Sequence, residues 1–170
     1  MPMLDVMLTW HPLNGRSGHD AGRELLAQLY RAQTGEDCPE IRTAPRGKPY
    51  FPDSPWHFSI SHTKRHVFCA LARCPVGIDA EEMDRDIRLA LAEKILSPAE
   101  KARFDAASDR RTALLRLWVL KEAAAKCSGE GLRGYPDHTD FSPGDPRIRE
   151  IGGCYVAVIT EEGIGNIHVI

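Results

Sequence analysis

The stretch Trp118-Val119-Leu120-Lys121-Glu122-Ala123-Ala124-Ala125-Lys126, followed by Cys127-Ser128-Gly129-Glu130-Gly131-Leu132, decides how this chain is read. It has the composition of the last turns of a helix, with one acid and two lysines among apolar neighbours and glycines to stop it. Followed backwards at helical spacing, Ala113, Leu117, Leu120, Ala124 and Cys127 form one apolar stripe, which predicts a helix from about Asp109 to Ser128 facing a core. Glu122 falls on the other side with Trp118 and Lys126 stacked above and below it, and Leu115 and Val119 share that face. A carboxylate in such company is costly unless a cation compensates it. An ordinary Glu122–Lys126 surface pair is the competing reading. Lys121 and Lys126 point to different sides of the helix, so they are not redundant partners of Glu122. Two lysines near a carboxylate suit a pyrophosphate, which takes several cations to neutralise.

Upstream, Gly77-Ile78-Asp79-Ala80-Glu81 closes a short predicted strand, Pro75 to Ala80. Alternate strand residues share a face, so Asp79 and Glu81 project together while Ala80 turns away. Paired carboxylates repel unless a cation lies between them. An all-oxygen donor set favours Mg²⁺, which keeps waters and takes phosphate oxygens as further ligands. Taken alone, such a pair is more often a solvated strand end, as the neighbouring Glu82, Asp84 and Asp86 are read. Arg46-Gly47-Lys48-Pro49-Tyr50 is a rigidified basic loop, and Ser61-His62 ends a strand. A hydroxyl and an imidazole there can contact phosphate, although a hydrogen-bonded hairpin histidine is the commoner occurrence. Strand alternation puts His57 and His62 on opposite faces, which argues against a zinc cluster of histidines.

The chain has 170 residues, 42% of them hydrophobic and 27% charged, with a formal net charge of −2. That balance disfavours nucleic acid as a partner. Absence of a long apolar run and of a signal peptide predicts no membrane segment and a cytoplasmic protein. Cys38, Cys69, Cys74, Cys127 and Cys154 are odd in number and without C-x-x-C spacing, so no disulfide framework is expected. Predicted strands cover Leu4 to Trp10, His57 to Ser61, His66 to Ala72, Cys154 to Thr160 and Asn166 to Ile170. The last two are read as joined by a turn at Glu162-Gly163. Predicted helices run from Asp20 to Gln33 and from Asp86 to Leu96, and Ser97-Pro98-Ala99-Glu100 starts another as a capping box. The segment Thr43 to Pro55 reads as extended loop. The fold class is α+β, one unit over residues 1–170 in two halves, about 1–73 and 74–170.

Gly47-Lys48-Pro49, Phe58-Ser59-Ile60-Ser61-His62, Gly77-Ile78-Asp79-Ala80-Glu81, Leu96-Ser97-Pro98-Ala99-Glu100 and Trp118 through Leu132 occur here in the order found in 4′-phosphopantetheinyl transferases. The likeness is to the Sfp-type, pseudo-dimeric branch, of which this chain resembles a short member. The resemblance implies two similar α/β halves related by a pseudo-two-fold and a monomer. It implies Mg²⁺-dependent transfer of the phosphopantetheine arm of coenzyme A to a serine of an acyl or peptidyl carrier protein, releasing 3′,5′-ADP. It makes Asp79, Glu81 and Glu122 the metal ligands, with Glu122 and Lys126 catalytic. Lys126 would contact the pyrophosphate with Lys121 nearby. Ser61 and His62 would hold the phosphates, Lys48 the adenine and Arg23 the 3′-phosphate, with Arg16 a further basic candidate. Ala80 departs from the pattern by supplying no ligand. A Mg²⁺-dependent phosphohydrolase on the same carboxylates is one alternative function, and a module binding coenzyme A or carrier protein without turnover is another. Lys101, Arg103, Arg110, Arg111 and Arg116 form a basic cluster that either meets an acidic carrier or is a solvated face paired with its own acids.

Overall fold

In the computed structural model, residues 4–129, 140–161 and 164–170 are described. Gly131, Leu132 and the turn Glu162-Gly163 lie outside them. The chain opens with β1 (Leu4–Pro12), whose alternation sends Val6 and Leu8 to one face and Met7 to the other. Helix α1 (Gly18–Thr34) is capped by the Ser17 hydroxyl and ends at Gly35 with φ 77°, the left-handed stop expected of glycine. Its buried stripe is Leu25, Leu26, Leu29 and Tyr30, as the sequence spacing predicts. The stretch read as loop carries one small pairing, β2 (Arg42–Thr43) with β3 (Pro49–Tyr50), which turns Arg46 and Gly47 outward. Then β4 (His57–His62) and β5 (His66–Ala72) form the expected hairpin.

The chain continues beyond residue 73 with further strands and helices. It holds β6 (Val76–Glu82), a single-turn 3₁₀ helix (Leu89–Leu91), α2 (Ala92–Ile95), α3 (Pro98–Ala106), α4 (Arg110–Ser128), β7 (Ile148–Ile151) and β8 (Cys154–Thr160). A helix starting at Asp86 is not formed. The chain stays irregular to Arg88, which offers no side-chain cap, and only then makes the two short turns. Ser97 does build the predicted capping box with Glu100. The last strand, β9 (Ile164–Val169), corrects the reading of a C-terminal hairpin: it does not pair with β8 but lies parallel to β1.

Besides the small β2-β3 pair, two larger sheets result, ordered β4-β5-β1-β9 and β6-β8-β7. They pack face to face through Val6, Leu8, Phe68, Ala70, Ile78, Ala80, Val156 and Val158. Helix α1 covers the outer face of the first sheet and α4 that of the second, giving α/β/β/α layers. Both faces of β5 and β8 are therefore buried, which is why His66–Ala72 and Cys154–Thr160 read as nearly continuous apolar runs. At the corner between the sheets, the Ser59 hydroxyl accepts the Ile78 N–H at 3.0 Å and the Ser61 hydroxyl accepts that of Ala80 at 3.1 Å. Serines of β4 thus stand in for a neighbouring strand along the free edge of β6. All five cysteines are free thiols, and among the described residues no helix is long and apolar enough to cross a membrane.

Candidate active site at the junction of β4, β6 and α4

Strand β6 meets α4 through Gly77, where an added Cβ would lie 1.9 Å from the Ala123 carbonyl oxygen. Only glycine allows that approach, and it brings the odd-numbered face of β6 against the helix face bearing Glu122 and Lys126. Asp79 is 7% exposed. Its Oδ1 takes hydrogen bonds from Lys126 Nζ at 3.0 Å and Ser61 Oγ at 3.3 Å, while its buried Oδ2 has no partner among the described residues. Lys126 also donates to the carbonyls of Ile78 and Ile60, so its ammonium straddles both sheets. Glu81 is half-buried and holds Arg85 in an ion pair.

The three carboxyls all titrate above their ordinary range. Burial is the largest cause for each. Asp79 further raises both Glu81 and Glu122, against the opposing pull of Lys126 on Asp79 and Glu122 and of Arg85 on Glu81. A hydrogen bond from Trp118 also favours ionised Glu81, a role for that tryptophan that helical spacing alone does not disclose. Such a cluster is an electrostatic deficit awaiting a cation. The orphaned Asp79 Oδ2 has the hard-oxygen chemistry that Mg²⁺ takes, so the residues fit that ion.

Beside the cluster opens a cavity of about 280 Å³, lined by Arg46, Lys48, Phe58, Ser59, Glu122 and Lys126 among others. Lys48 reaches over from the basic loop to donate to the Cys127 carbonyl at 2.8 Å, closing one wall. Residues 75–155, which carry β6, α4 and the acidic cluster, match the family model of the 4′-phosphopantetheinyl transferase superfamily. A 4′-phosphopantetheinyl transferase of Bacillus subtilis is 39% identical over 89 residues, 51% of this chain and 39% of the relative. The transferase Sfp of Bacillus subtilis (strain 168) is 37% identical over 116 residues, 65% of this chain and 51% of the relative. The transferase gsp of Aneurinibacillus migulanus is 35% identical over 88 residues, 51% of this chain and 36% of the relative. Over this span the chain is similar to the 4′-phosphopantetheinyl transferase superfamily. It spans about half or less of the length of these relatives.

Not every residue that the transferase resemblance singles out joins the cluster. Asp79, Glu81, Glu122 and Lys126 converge, and Lys48 faces the same cavity. Lys121 does not. It is 1% exposed inside the second core, its ammonium 2.7 Å from Glu100 Oε1, so its placement near a pyrophosphate is corrected. Glu100 came from a capping box in the sequence reading, and nothing local to that motif announces a buried ion pair with a distant helix. Ser61 is likewise 4% exposed and committed to Asp79 and Ala80, which makes it a brace behind the acid and not a phosphate contact. His62 is exposed. Its ring lies over Gly18 at the start of α1, and it borders a second depression shared with Lys64, Arg65, Glu81 and Arg85. Arg23 is half-buried on α1 with its charge toward Cys38, outside the lining of the first cavity.

The basic cluster around α4 is mostly spent on the chain itself. Arg103 donates to the Phe141 carbonyl, Arg111 to that of Met83 and Arg116 to that of Pro143, while Lys101 pairs with Asp105 and Glu93. These cations hold loops to the helices.

Proposed function

We propose that this chain transfers the 4′-phosphopantetheine arm of coenzyme A to a serine of an apo carrier protein, with release of 3′,5′-ADP. The observation that carries the reading is the convergence of Asp79, Glu81 and Glu122 with Lys126 beside a cavity walled by Lys48 and Arg46. Asp79, Glu81 and Glu122 would hold Mg²⁺, and the bound ion would withdraw charge from the pyrophosphate. Glu122, its carboxyl pushed up by burial and by Asp79, takes the proton of the attacking serine. The serine oxygen forms the new bond to the phosphorus that carries the pantetheine arm. The bond from that phosphorus to the 3′,5′-ADP oxygen breaks, and the electron pair leaves with the nucleotide. Lys126, held at the rim by Ile60 and Ile78, supplies positive charge to the leaving phosphate. Lys48 and Arg46 face the nucleotide end, and His62 and Arg23 are the remaining residues assigned to phosphate.

We further read residues 1–170 as one unit with halves meeting near residues 73 and 74, related by a pseudo-two-fold. The like strand orders β1-β5-β4 and β6-β8-β7 within the two larger sheets support that symmetry. Because Lys126, Asp79 and Ile60 come from one chain, a monomer suffices for the site. Five free thiols accord with a cytoplasmic protein.

The test is incubation with coenzyme A, Mg²⁺ and an apo carrier protein, followed by mass spectrometry of the carrier. A mass gain of one phosphopantetheine is expected. Breakdown of coenzyme A without carrier modification would establish the phosphohydrolase reading, and coenzyme A binding without either reaction the binding module.

A further inference from the structure

A second cluster of ligating side chains lies on the opposite face of β6 from the carboxylates. Along the layer between the sheets, three rows are apolar until they reach one common end. On β6, Val76, Ile78 and Ala80 give way to Glu82; on β5, Ala72, Ala70 and Phe68 give way to His66; on β8, Val158 and Val156 give way to Cys154. The ligating atoms of His66, Glu82 and Cys154 all lie within 4.8 Å of one another. His66 Nδ1 is 2.8 Å from Glu82 Oε1 and 3.6 Å from Cys154 Sγ. Tetrahedral Zn²⁺, with bonds of about 2.0–2.3 Å, sets its donor atoms roughly 3.3–3.6 Å apart. The sulfur–nitrogen separation already meets that spacing, and a small turn of the Glu82 carboxylate opens the other.

The surroundings are built for orientation. Thr63 Oγ1 donates to Glu82 Oε1 at 2.6 Å, and Arg65 donates to Oε2 at 2.9 Å while also gripping Asp84. Partners of this kind fix ligand geometry in metal sites. Trp10 covers the cluster with its ring 5.7 Å from that of His66, and Gly152, at φ 60°, makes room for Trp10 where a Cβ would stand 2.6 Å from the indole. Access remains through the depression lined by Thr63, Arg65 and Glu82.

We propose that His66, Glu82 and Cys154 form a binding site for a borderline divalent cation of the Zn²⁺ or Co²⁺ type, separate from the carboxylate cluster. One nitrogen, one oxygen and one sulfur donor select such ions over Mg²⁺, whose ligands are all oxygen. Binding replaces the thiol proton of Cys154, which passes to solvent, and leaves the fourth position to water. The ligands come from both sheets, so the ion ties the layers together at the end of β6 next to Glu81.

Titration of the intact chain with Co²⁺ in excess Mg²⁺, which fills the carboxylate cluster, tests this. The expected result is one equivalent bound, with tetrahedral visible absorption and a near-ultraviolet thiolate-to-cobalt band, displaced by Zn²⁺. Cys154→Ser should abolish the thiolate band. Glu82→Gln, which keeps the shape, should retain the band and weaken affinity by about tenfold or more. Absence of a thiolate band at excess Co²⁺ would overturn the proposal, as would an unchanged band in Cys154→Ser or unchanged affinity in Glu82→Gln. If Cys154→Ser does not fold, the Glu82→Gln affinity decides.

Discussion

Asp79 meets two opposed demands: burial penalises its charge, and Lys126 and Ser61 hold that charge in place. Replacing it by asparagine removes the buried charge while keeping the side chain's shape, and Lys126 retains the carbonyls of Ile60 and Ile78. Asp79→Asn is therefore expected to lower transfer by about 100-fold or more and to eliminate Mg²⁺ binding in calorimetry. Its metal-free melting temperature should stay level or rise. A variant with normal turnover would remove Asp79 from the mechanism. Lys121 has the opposite character. Its loss leaves Glu100 buried without its ammonium, so Lys121→Met should cost about 3–5 kcal/mol in denaturant unfolding. The KM for coenzyme A of the folded fraction should be unaltered; a raised KM at undiminished stability would return Lys121 to the phosphate site.

Between elements, the closest junction is Gly77 against α4. The added methyl of Gly77→Ala meets the backbone at Ala123 O and at Cys127 N, 1.9 and 2.5 Å away, and neither can swing aside. A destabilisation of about 3 kcal/mol is expected, with activity falling as α4 carries Glu122 away from β6. Gly144→Ala is the control, since nothing lies within 4 Å of its added Cβ. It should shift stability by less than about 0.5 kcal/mol. The corner between β4 and β6 is a second junction. Ser59→Ala strips the Ile78 N–H of its acceptor at a buried position and should cost about 1–3 kcal/mol. Equal stability of Ser59→Ala and the parent in chemical denaturation would mean that water replaces the hydroxyl.

At the scale of the molecule, β9 closes the first sheet by pairing with β1, and the Ile170 N–H reaches the Leu8 carbonyl at 2.8 Å. Deleting residues 164–170 uncovers the β1 edge, a row of unpaired backbone groups above an apolar core. The shortened chain is expected to unfold at lower denaturant and to self-associate in light scattering. A monodisperse, equally stable chain would show that β9 is dispensable to the sheet.

The pattern within single elements was determined by the sequence itself. Periodicity in Leu25, Leu26, Leu29 and Tyr30 and in the 109–128 segment, with Ser97 as a cap and Gly35 and Gly129 as stops, marks α1, α3 and α4 because these are local steric and hydrogen-bonding effects; the Ser17 and Asp109 caps emerge only with the structure. Asp79, Glu81, Glu122 and Lys126 are singled out by resemblance to a family's motif order, since spacing alone leaves a solvated strand end and a surface ion pair as competing readings. Tertiary structure alone decided which partner each polar group finds. Lys121 is buried because α3 brings Glu100 to it; Ser61 turns from ligand to brace because β6 lies beside β4. His66 acquires Glu82 and Cys154 only when two sheets stack, and β9 finds β1 across nearly the whole chain. Long-range pairing depends on which surfaces meet after the layers form, and no spacing along the chain encodes that.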